Sequence, residues 1–150
     1  MRYAVLIVGL AVLLAAPAAA DRPALTGPGA IRITSREVKD TRVDNGAKGL
    51  TPGDMEILRD QLFNTRITPK PIGHAELICT YTVGTSRYCE GTYFLPKGKL
   101  VVAGPIYFRQ LYELAVVGGT GLFDNVRGSL TVTAIGTKPR RDVLLFRLTV

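Results

Sequence analysis

The stretch GHAELICTYTVGTSRYCEGTYFL, residues 73–95, contains the pattern that decides the fold class. Two β-rich runs lie on either side of residues 83–85, and a hairpin centred on Gly84 places Cys79 directly opposite Cys89. Opposed residues of antiparallel strands have Cβ atoms roughly 4.5–5.5 Å apart, so a small adjustment closes a disulfide. We therefore predict a β-hairpin spanned by a Cys79–Cys89 disulfide.

The register of this hairpin separates its side chains into two faces. The cysteine face pairs Leu77 with Gly91, Ala75 with Tyr93 and Tyr81 with Arg87, whereas the other face carries His74, Glu76, Ile78 and Thr80 against Phe94, Thr92, Glu90 and Tyr88. The cysteine face has fewer charges, and we predict that it points inward. His74, the single histidine, then lies on the other face of the hairpin from both cysteines, so these residues do not form a tetrahedral zinc site. We expect no metal and no other cofactor.

Further β-rich runs lie before and after the hairpin. They cover residues 31–38, 54–63, 100–107, 112–117, 128–135 and 143–150. In the last run Leu144 and Phe146 alternate with Val143 and Leu145, as in a strand with one buried face. Together with the hairpin these runs make about eight strands, the number that closes a small all-β barrel and leaves no exposed edge.

Residues 51–63 carry a conflicting local signal. Residues 51–54, Thr-Pro-Gly-Asp, resemble a helix N-terminus with a capping residue, a proline at the first helical position and an acid in the first turn. Apolar residues then recur at helical spacing, at Met55, Leu58 and Leu62. Local signals alone favour a short helix here.

The N-terminal residues predict export. Arg2 is the only charge before an apolar run over residues 3–16, and residues 18–20 are alanines that form a cleavage site. The run is shorter than the roughly 20 residues that a membrane-spanning helix needs. We expect a signal peptide over residues 1–20, an N-terminal segment with the first strand and a Gly-rich loop over 21–52, and a barrel over 53–150. The mature protein is expected to be secreted and to span no membrane.

The charge of the chain is positive but dispersed. The net charge is +7, and the one local basic cluster is Lys138, Arg140 and Arg141 beside Pro139, which resembles a loop. Proteins that bind nucleic acid concentrate their positive charge on one face or in one motif. We therefore do not expect a nucleic-acid partner.

Residues 114–128, LAVVGGTGLFDNVRG, resemble the signature of plant dirigent proteins, which read V-V-G-G-T-G-x-F and, three residues on, R-G. The preceding residues 91–108, GTYFLPKGKLVVAGPIYF, are similar to the strand pair upstream of that signature in dirigent proteins and allene oxide cyclases. In those families a Gly-Asp pair like Gly53 and Asp54 opens a strand, so the resemblance favours a strand over 54–63. It implies an eight-stranded antiparallel barrel of the calycin type, often a homotrimer, with a central apolar cavity.

The turn motif of this signature, Gly118, Gly119, Thr120 and Gly121, is expected to end a strand and turn the chain at one end of the barrel. Glycine adopts positive φ without steric cost and allows close backbone approach. The motif lacks the lysine and the spacing of a phosphate-binding loop, so we do not expect nucleotide binding.

Two tyrosines and two arginines are the candidate ligand-binding residues. Tyr81 and Tyr93 share the predicted inward face, where a phenol offers both stacking area and a hydrogen bond, although packing alone is the alternative role. Arg127 matches the arginine of the dirigent-like R-G, and Arg87 lies opposite Tyr81; each offers guanidinium donors at a barrel mouth. The alternative role of Arg127 is to hold the carbonyls of the Gly-rich turn.

The resemblance implies a function based on binding. Plant dirigent proteins hold phenoxy radicals for stereoselective coupling, and allene oxide cyclases hold an epoxide that closes to one ring isomer. We expect a secreted barrel that binds a small hydrophobic or aromatic molecule and steers or carries it; the alternatives are an isomerase or cyclase, and a non-catalytic structural or surface-interaction barrel filled by side chains. Leu122 stands where many plant dirigent proteins have an acid, which argues against radical coupling. Apolar Val143 and Leu145 on an outward face add support for a homotrimer.

Overall fold

The computed structural model describes residues 29–150, and the expected signal peptide over residues 1–20 lies outside them. Eight strands account for most of the described chain: β1 Gly29–Val43, β2 Met55–Phe63, β3 Gly73–Tyr81, β4 Arg87–Leu95, β5 Gly98–Ile106, β6 Leu111–Gly121, β7 Arg127–Thr137 and β8 Arg140–Thr149. Each strand pairs antiparallel with the next, and β1 pairs with β8 to close the barrel. The predicted all-β, eight-stranded antiparallel barrel is confirmed. Within residues 29–150 no helix is long and apolar enough to cross a membrane.

The β3–β4 hairpin has the predicted register. Cys79 lies opposite Cys89, and the two form a disulfide with their Cα atoms 4.0 Å apart. Gly84 lies in the connecting turn with a φ of 57°. The cysteine face points into the barrel, where Ala75, Leu77, Cys79, Tyr81, Arg87, Cys89 and Tyr93 are all buried.

The barrel interior has two unlike halves. At the end where β6 finishes with Gly121 and β7 begins with Arg127, hereafter the glycine end, the inward side chains are apolar; they include Leu62, Leu100, Leu130, Phe146 and Leu148. The opposite end, where β2 begins with Met55 and β4 begins with Arg87, is hereafter the charged end. Its inward residues include the ionisable Glu56, Asp60, Arg87 and Asp142. Apolar side chains fill one half of the interior, and the buried ionisable side chains lie in the other half, where a polar site is expected.

Residues 55–63 form a strand and not the short helix that their local signals favour. The Asp54 carboxylate accepts hydrogen bonds from the backbone N–H groups of Thr51 and Asn45, each at 2.8 Å, and these bonds lower its pKa. The residues that resemble a helix cap therefore tie together the β1–β2 loop. Pairing of β2 with β1 on one side and β3 on the other then outweighs the weak local preference for a helix.

The GGTG motif lies inside β6, and the prediction that its first glycines stop the strand is wrong. The strand continues through Gly118 and Gly119, and only Gly121 has a positive φ, of 67°. A Cβ on Gly119 would collide with the carbonyl oxygen of Phe123 and would lie 2.8 Å from that of Lys99. Gly119 is required because two backbone segments approach it closely, whereas the turn itself needs only Gly121.

Gly119→Ala is therefore expected to destabilise the barrel by at least about 2 kcal/mol, because the added methyl group meets rigid backbone. Gly118→Ala is the matched control, since the nearest atom to a Cβ there is a guanidinium nitrogen of Arg127 at 3.7 Å. Its effect should stay within about 0.5 kcal/mol. Urea unfolding of both variants measures the difference, and equal midpoints would contradict the packing role of Gly119.

Candidate functional site

Three adjoining spaces lie at the charged end of the barrel. A closed cavity of about 20 Å³ is lined by Glu37, Leu58, Asp60, Leu77, Arg87, Tyr93, Arg109, Tyr112, Arg140, Asp142 and Leu144. Two open clefts lie above it: one of about 280 Å³ contains Glu37, Asp40 and Arg140, and one of about 360 Å³ contains Tyr81, Arg87 and Phe108. Arg109 lines all three spaces.

A buried ion cluster centred on Glu56 holds the Arg109 side chain in place. The Glu56 carboxylate is 1% exposed and pairs with Arg87, which is 4% exposed. Its other oxygen, Oε1, accepts a hydrogen bond of 2.7 Å from Nη2 of Arg109. Tyr81 completes the cluster, with its hydroxyl 3.3 Å from Nη1 of Arg87 and 3.5 Å from Oε2 of Glu56. A buried carboxylate needs such partners, because an unpaired charge inside a protein costs several kcal/mol.

The loop between β5 and β6, residues 107–110, lies across the charged end of the barrel. Its backbone is fixed at two points: Nη2 of Arg140 donates to the carbonyl oxygen of Arg109 at 2.6 Å, and the N–H of Ala134 donates to that of Gln110 at 2.8 Å. The Arg109 side chain is still 48% exposed. This half-exposed side chain lies where the closed cavity and the two clefts meet, beside Arg87, which also lines the cavity and one cleft, and Arg140, which lines the cavity and the other.

Two aspartates face the closed cavity. Asp60 of β2 lies opposite Glu37 of β1 in the ladder, and Asp142 of β8 lies opposite Ser35 of β1, so β1 brings three acids to one side of the barrel. Oδ2 of Asp142 accepts a hydrogen bond of 2.9 Å from Nε of Arg140. Its Oδ1 is buried and accepts no hydrogen bond from the part of the chain that the structure describes. Buried acceptors usually have a partner, so this oxygen is available to a donor group.

The pKa values of these carboxyl groups are raised. Burial, followed by the nearby charges of Asp142 and Glu37, raises the pKa of Asp60 to about 6. Burial also raises the pKa of Asp142, although Arg140 opposes the shift. Two carboxyl groups in one cavity cannot both ionise freely, and one of them exchanges its proton near neutral pH. Such a pair suits general acid–base chemistry.

Two tyrosines complete the cavity. Burial raises the pKa of Tyr93 well above its usual value and that of Tyr112 to about 12. Both phenols therefore remain protonated at neutral pH and serve as hydrogen-bond donors and as aromatic walls. Among residues 29–150, no group of three or more histidine, cysteine, aspartate or glutamate side chains is arranged to hold a metal ion.

Comparisons with known proteins add evidence of structural similarity. No family model matches the chain, and no curated protein matches its sequence. A solved structure of a pyocyanin demethylase has 26% identity and a TM-score of 0.69, over 81% of this chain and 100% of that chain. The pterocarpan synthase dirigent protein GePTS1 has 20% identity and a TM-score of 0.63, over 81% and 88%; AbnU, an exo-specific intermolecular Diels-Alderase, has 12% and 0.61, over 80% and 98%.

The chain has a dirigent-like barrel fold. The resemblance to dirigent proteins that the sequence shows is thereby confirmed for the fold. At 12–20% identity the dirigent and Diels-Alderase structures carry no argument about chemistry, so the function of this dirigent-like barrel has to be argued from its own residues.

The four candidate ligand-binding residues do not lie together in the dirigent-like barrel. Tyr81 and Arg87 contact each other in the ion cluster at the charged end, and Tyr93 faces the closed cavity beside them. Arg127 lies exposed at the glycine end, together with the GGTG motif. Its Nη1 donates to the carbonyl oxygen of its neighbour Val126 at 2.9 Å. The structure thus brings three of the four residues to one site and places the fourth at the other end of the barrel.

Residues of this site that escaped the sequence-based prediction include Glu56, Asp60, Arg109, Tyr112, Arg140 and Asp142. A signal was present for the acids, because Asp60 and Asp142 each precede an inward leucine, Leu62 and Leu144, by two positions. Strand alternation therefore predicts that both acids point inward. Arg109 lies in a loop and has no such periodicity, so only the three-dimensional fold reveals it.

The largest cleft, of about 690 Å³, lies away from this chemistry. It runs over the outside of β1–β5 and is lined mainly by outward side chains, including Ile57, Ile78 and Phe94. Its charged pair, Arg59 and Glu76, is solvent-exposed with 3.7 Å between nitrogen and oxygen. Exposed pairs of this kind contribute little energy.

Asp60→Asn is expected to stabilise the barrel at pH 7. The folded pKa of about 6 exceeds the unfolded value of 3.8, so the wild-type protein loses stability as the pH rises through this interval, by at most about 3 kcal/mol. The variant should melt several degrees higher at pH 7 and match the wild type near pH 3.5. Asp124→Asn makes the same change at an exposed site and is the control, and Asp60→Asn should exceed its melting temperature at pH 7. A lower melting temperature of Asp60→Asn at pH 7 would refute the assignment.

Proposed function

We propose that this protein binds a small aromatic molecule at the charged end of its barrel and transfers a proton between that molecule and Asp60. The observation that carries the proposal is the inward pair of half-buried Asp60 and buried Asp142, in which the Asp60 carboxyl has its pKa near 6 and the Asp142 carboxylate has an unpaired buried oxygen. This arrangement favours the steering and isomerase hypotheses over simple carriage.

The two carboxyl groups have complementary tasks in this proposal. Asp60 removes a proton from the bound molecule when ionised and returns one when protonated. Oδ1 of Asp142 accepts a hydrogen bond from the molecule, while Arg140 fixes the other oxygen of the same carboxylate at 2.9 Å. Tyr93 and Tyr112 supply phenol donors for negative charge that develops during the transfer. These roles need no redox partner, and the net reaction is a rearrangement or an elimination.

The molecule reaches Asp60 by displacing the Arg109 side chain. The closed cavity of about 20 Å³ has room for little more than one water molecule. The clefts of about 280 and 360 Å³ on the other side of Arg109 approach the size of ligand pockets, roughly 300–1,000 Å³. Rotation of this half-exposed side chain joins the three spaces into one.

The comparisons agree with a small-molecule role. The similar structures are named as a demethylase, a pterocarpan synthase and a Diels-Alderase, and each name describes action on a small organic molecule. The demethylase has the highest identity of the three and its full length is covered by this chain. These names support the class of ligand and do not select the reaction.

A second candidate function is binding at the charged end without turnover. The small size of the closed cavity favours it, because side chains fill most of the barrel and a molecule that stays in the open clefts never reaches Asp60. Under this alternative the acid pair has a structural role only.

We also propose that the protein acts after export, as a homotrimer. A disulfide is present, and disulfides persist mainly in oxidising compartments. Exposed apolar side chains lie on the outside of the barrel at Ile57, Ile78 and Val101, and contiguous apolar surface of this kind usually marks an interface.

The test uses 5-nitrobenzisoxazole, a small aromatic molecule whose ring opens when a base removes its C3 proton. The N–O bond then breaks and a coloured cyanophenolate forms, so proton transfer to Asp60 is read directly by absorbance. The rate should rise as Asp60 ionises through pH 6 and then level off. Asp60→Asn should lower the rate by at least about tenfold.

Asp124→Asn makes the same chemical change at an exposed site and should leave the rate unaltered. Equal rates for the two variants, or a wild-type rate no higher than that of the same concentration of acetate, would favour binding without turnover.

A further inference from the structure

We propose that the 360 Å³ cleft at the charged end is a binding site for anionic aromatic molecules, whose negative group binds the guanidinium groups of Arg42 and Arg109. This inference deepens the proposed function, because the same cleft admits the molecule to Asp60. It specifies that the ligand is negatively charged, which does not follow from the carboxyl pair.

The cleft has more positive than negative charge. Three arginines, Arg42, Arg87 and Arg109, surround the single carboxylate of Glu56. Glu56 pairs with two of them, while Arg42 contacts only the Tyr81 side chain, with Nη2 3.5 Å from its hydroxyl and the guanidinium 5.7 Å from the ring centre. The charge of Arg42 also acts on the carboxylate of Asp54, whose pKa it helps to lower, so the local balance is one positive charge in excess, at a site partly shielded from water.

The two arginines at the rim have donors to spare. Arg42 is exposed, and the Arg109 side chain is 48% exposed, whereas Arg87 is buried beneath them. A guanidinium has five N–H donors in a fixed plane, and the described contacts of these two side chains use one donor each. A carboxylate, sulfonate or phenolate binds such donors better than an ammonium or a neutral group does.

The walls of the cleft are apolar and aromatic. Leu50 lies on one side, and the adjacent residues Tyr107 and Phe108 of the β5–β6 loop are 63% and 73% exposed. Large aromatic side chains this exposed are uncommon away from binding surfaces. They offer flat area for stacking beside the arginines, which matches a molecule with one aromatic part and one anionic part.

The neighbouring cleft of about 280 Å³ provides a contrast. Two acids, Glu37 and Asp40, line it together with Arg109 and Arg140, so its charges are balanced. No aspartate or glutamate lines the 360 Å³ cleft in the described part of the chain. An anion is therefore attracted to one cleft and gains nothing from the other.

The experiment compares two dyes that differ by one sulfonate, 8-anilinonaphthalene-1-sulfonate and N-phenyl-1-naphthylamine. Both become fluorescent in apolar surroundings, and the protein has no tryptophan to interfere. The wild type should bind the anionic dye at least tenfold more tightly than the neutral one, with an affinity that falls as salt is added. Phe108→Ser should weaken the binding of both dyes.

Arg42→Gln should lower the affinity for the anionic dye, and the double variant Arg42→Gln/Arg109→Gln should lower it further, by at least tenfold in total. The affinity of both variants for the neutral dye should stay within twofold of the wild type. Arg42→Gln keeps both partners of Glu56, so it tests the site even if the double variant fails to fold. Arg127→Gln, which removes an exposed guanidinium at the glycine end, is the matched control and should bind both dyes as the wild type does.

Unchanged binding of the anionic dye to Arg42→Gln would overturn the inference, and so would equal affinities of the wild type for the two dyes. This outcome is separable from failure of the proposed function. Asp60 does not line the cleft, so Asp60→Asn should retain the preference for the anionic dye while it loses proton transfer.

Discussion

The organisation of this barrel depends on one buried carboxylate. Glu56 points into the barrel from β2 at 1% exposure, and a charge there is tolerated only because Arg87 of β4 and Arg109 of the β5–β6 loop both bind it. The same contacts tie the β5–β6 loop to the end of the barrel, where Arg109 lines the closed cavity and both clefts. Loss of either arginine partner would therefore alter the shape of the site as well as its charge.

The acid pair beneath this cluster is costly for a folded protein. Asp60 and Asp142 are brought together by pairing of β1 with β2 and β8, and their burial disfavours the ionised forms. The apolar half of the barrel and the β3–β4 disulfide supply stability that offsets this cost. Ionisable groups with pKa values shifted by burial are a common mark of a functional site.

The sequence predicts the barrel better than the site. Cys79 and Cys89 determine the hairpin register because a disulfide and a strand pair impose the same distance, and alternation then assigns the inward face. The strand at 55–63 is not predictable from its own residues, because pairing with two neighbouring strands overrides a helix-like local pattern. The sequence places Gly119 in a turn motif, because sequence alone does not show which backbone atoms approach a glycine. Arg109 and Arg127 are also not placed correctly by sequence alone. The β5–β6 loop brings Arg109 into the site, whereas Arg127 lies at the glycine end of the barrel, away from it.

The most direct test of this account is a carboxyl ¹³C NMR titration of the aspartates. We expect Asp60 to titrate with a midpoint near pH 6, and we expect Asp142→Asn to lower this midpoint because it removes a neighbouring negative charge. The same titration of Asp60→Asn identifies the Asp60 resonance and serves as the control. An Asp60 midpoint at or below the ordinary aspartate value of about 4 would contradict the claim that the charged end holds an acid pair ready to exchange a proton near neutral pH.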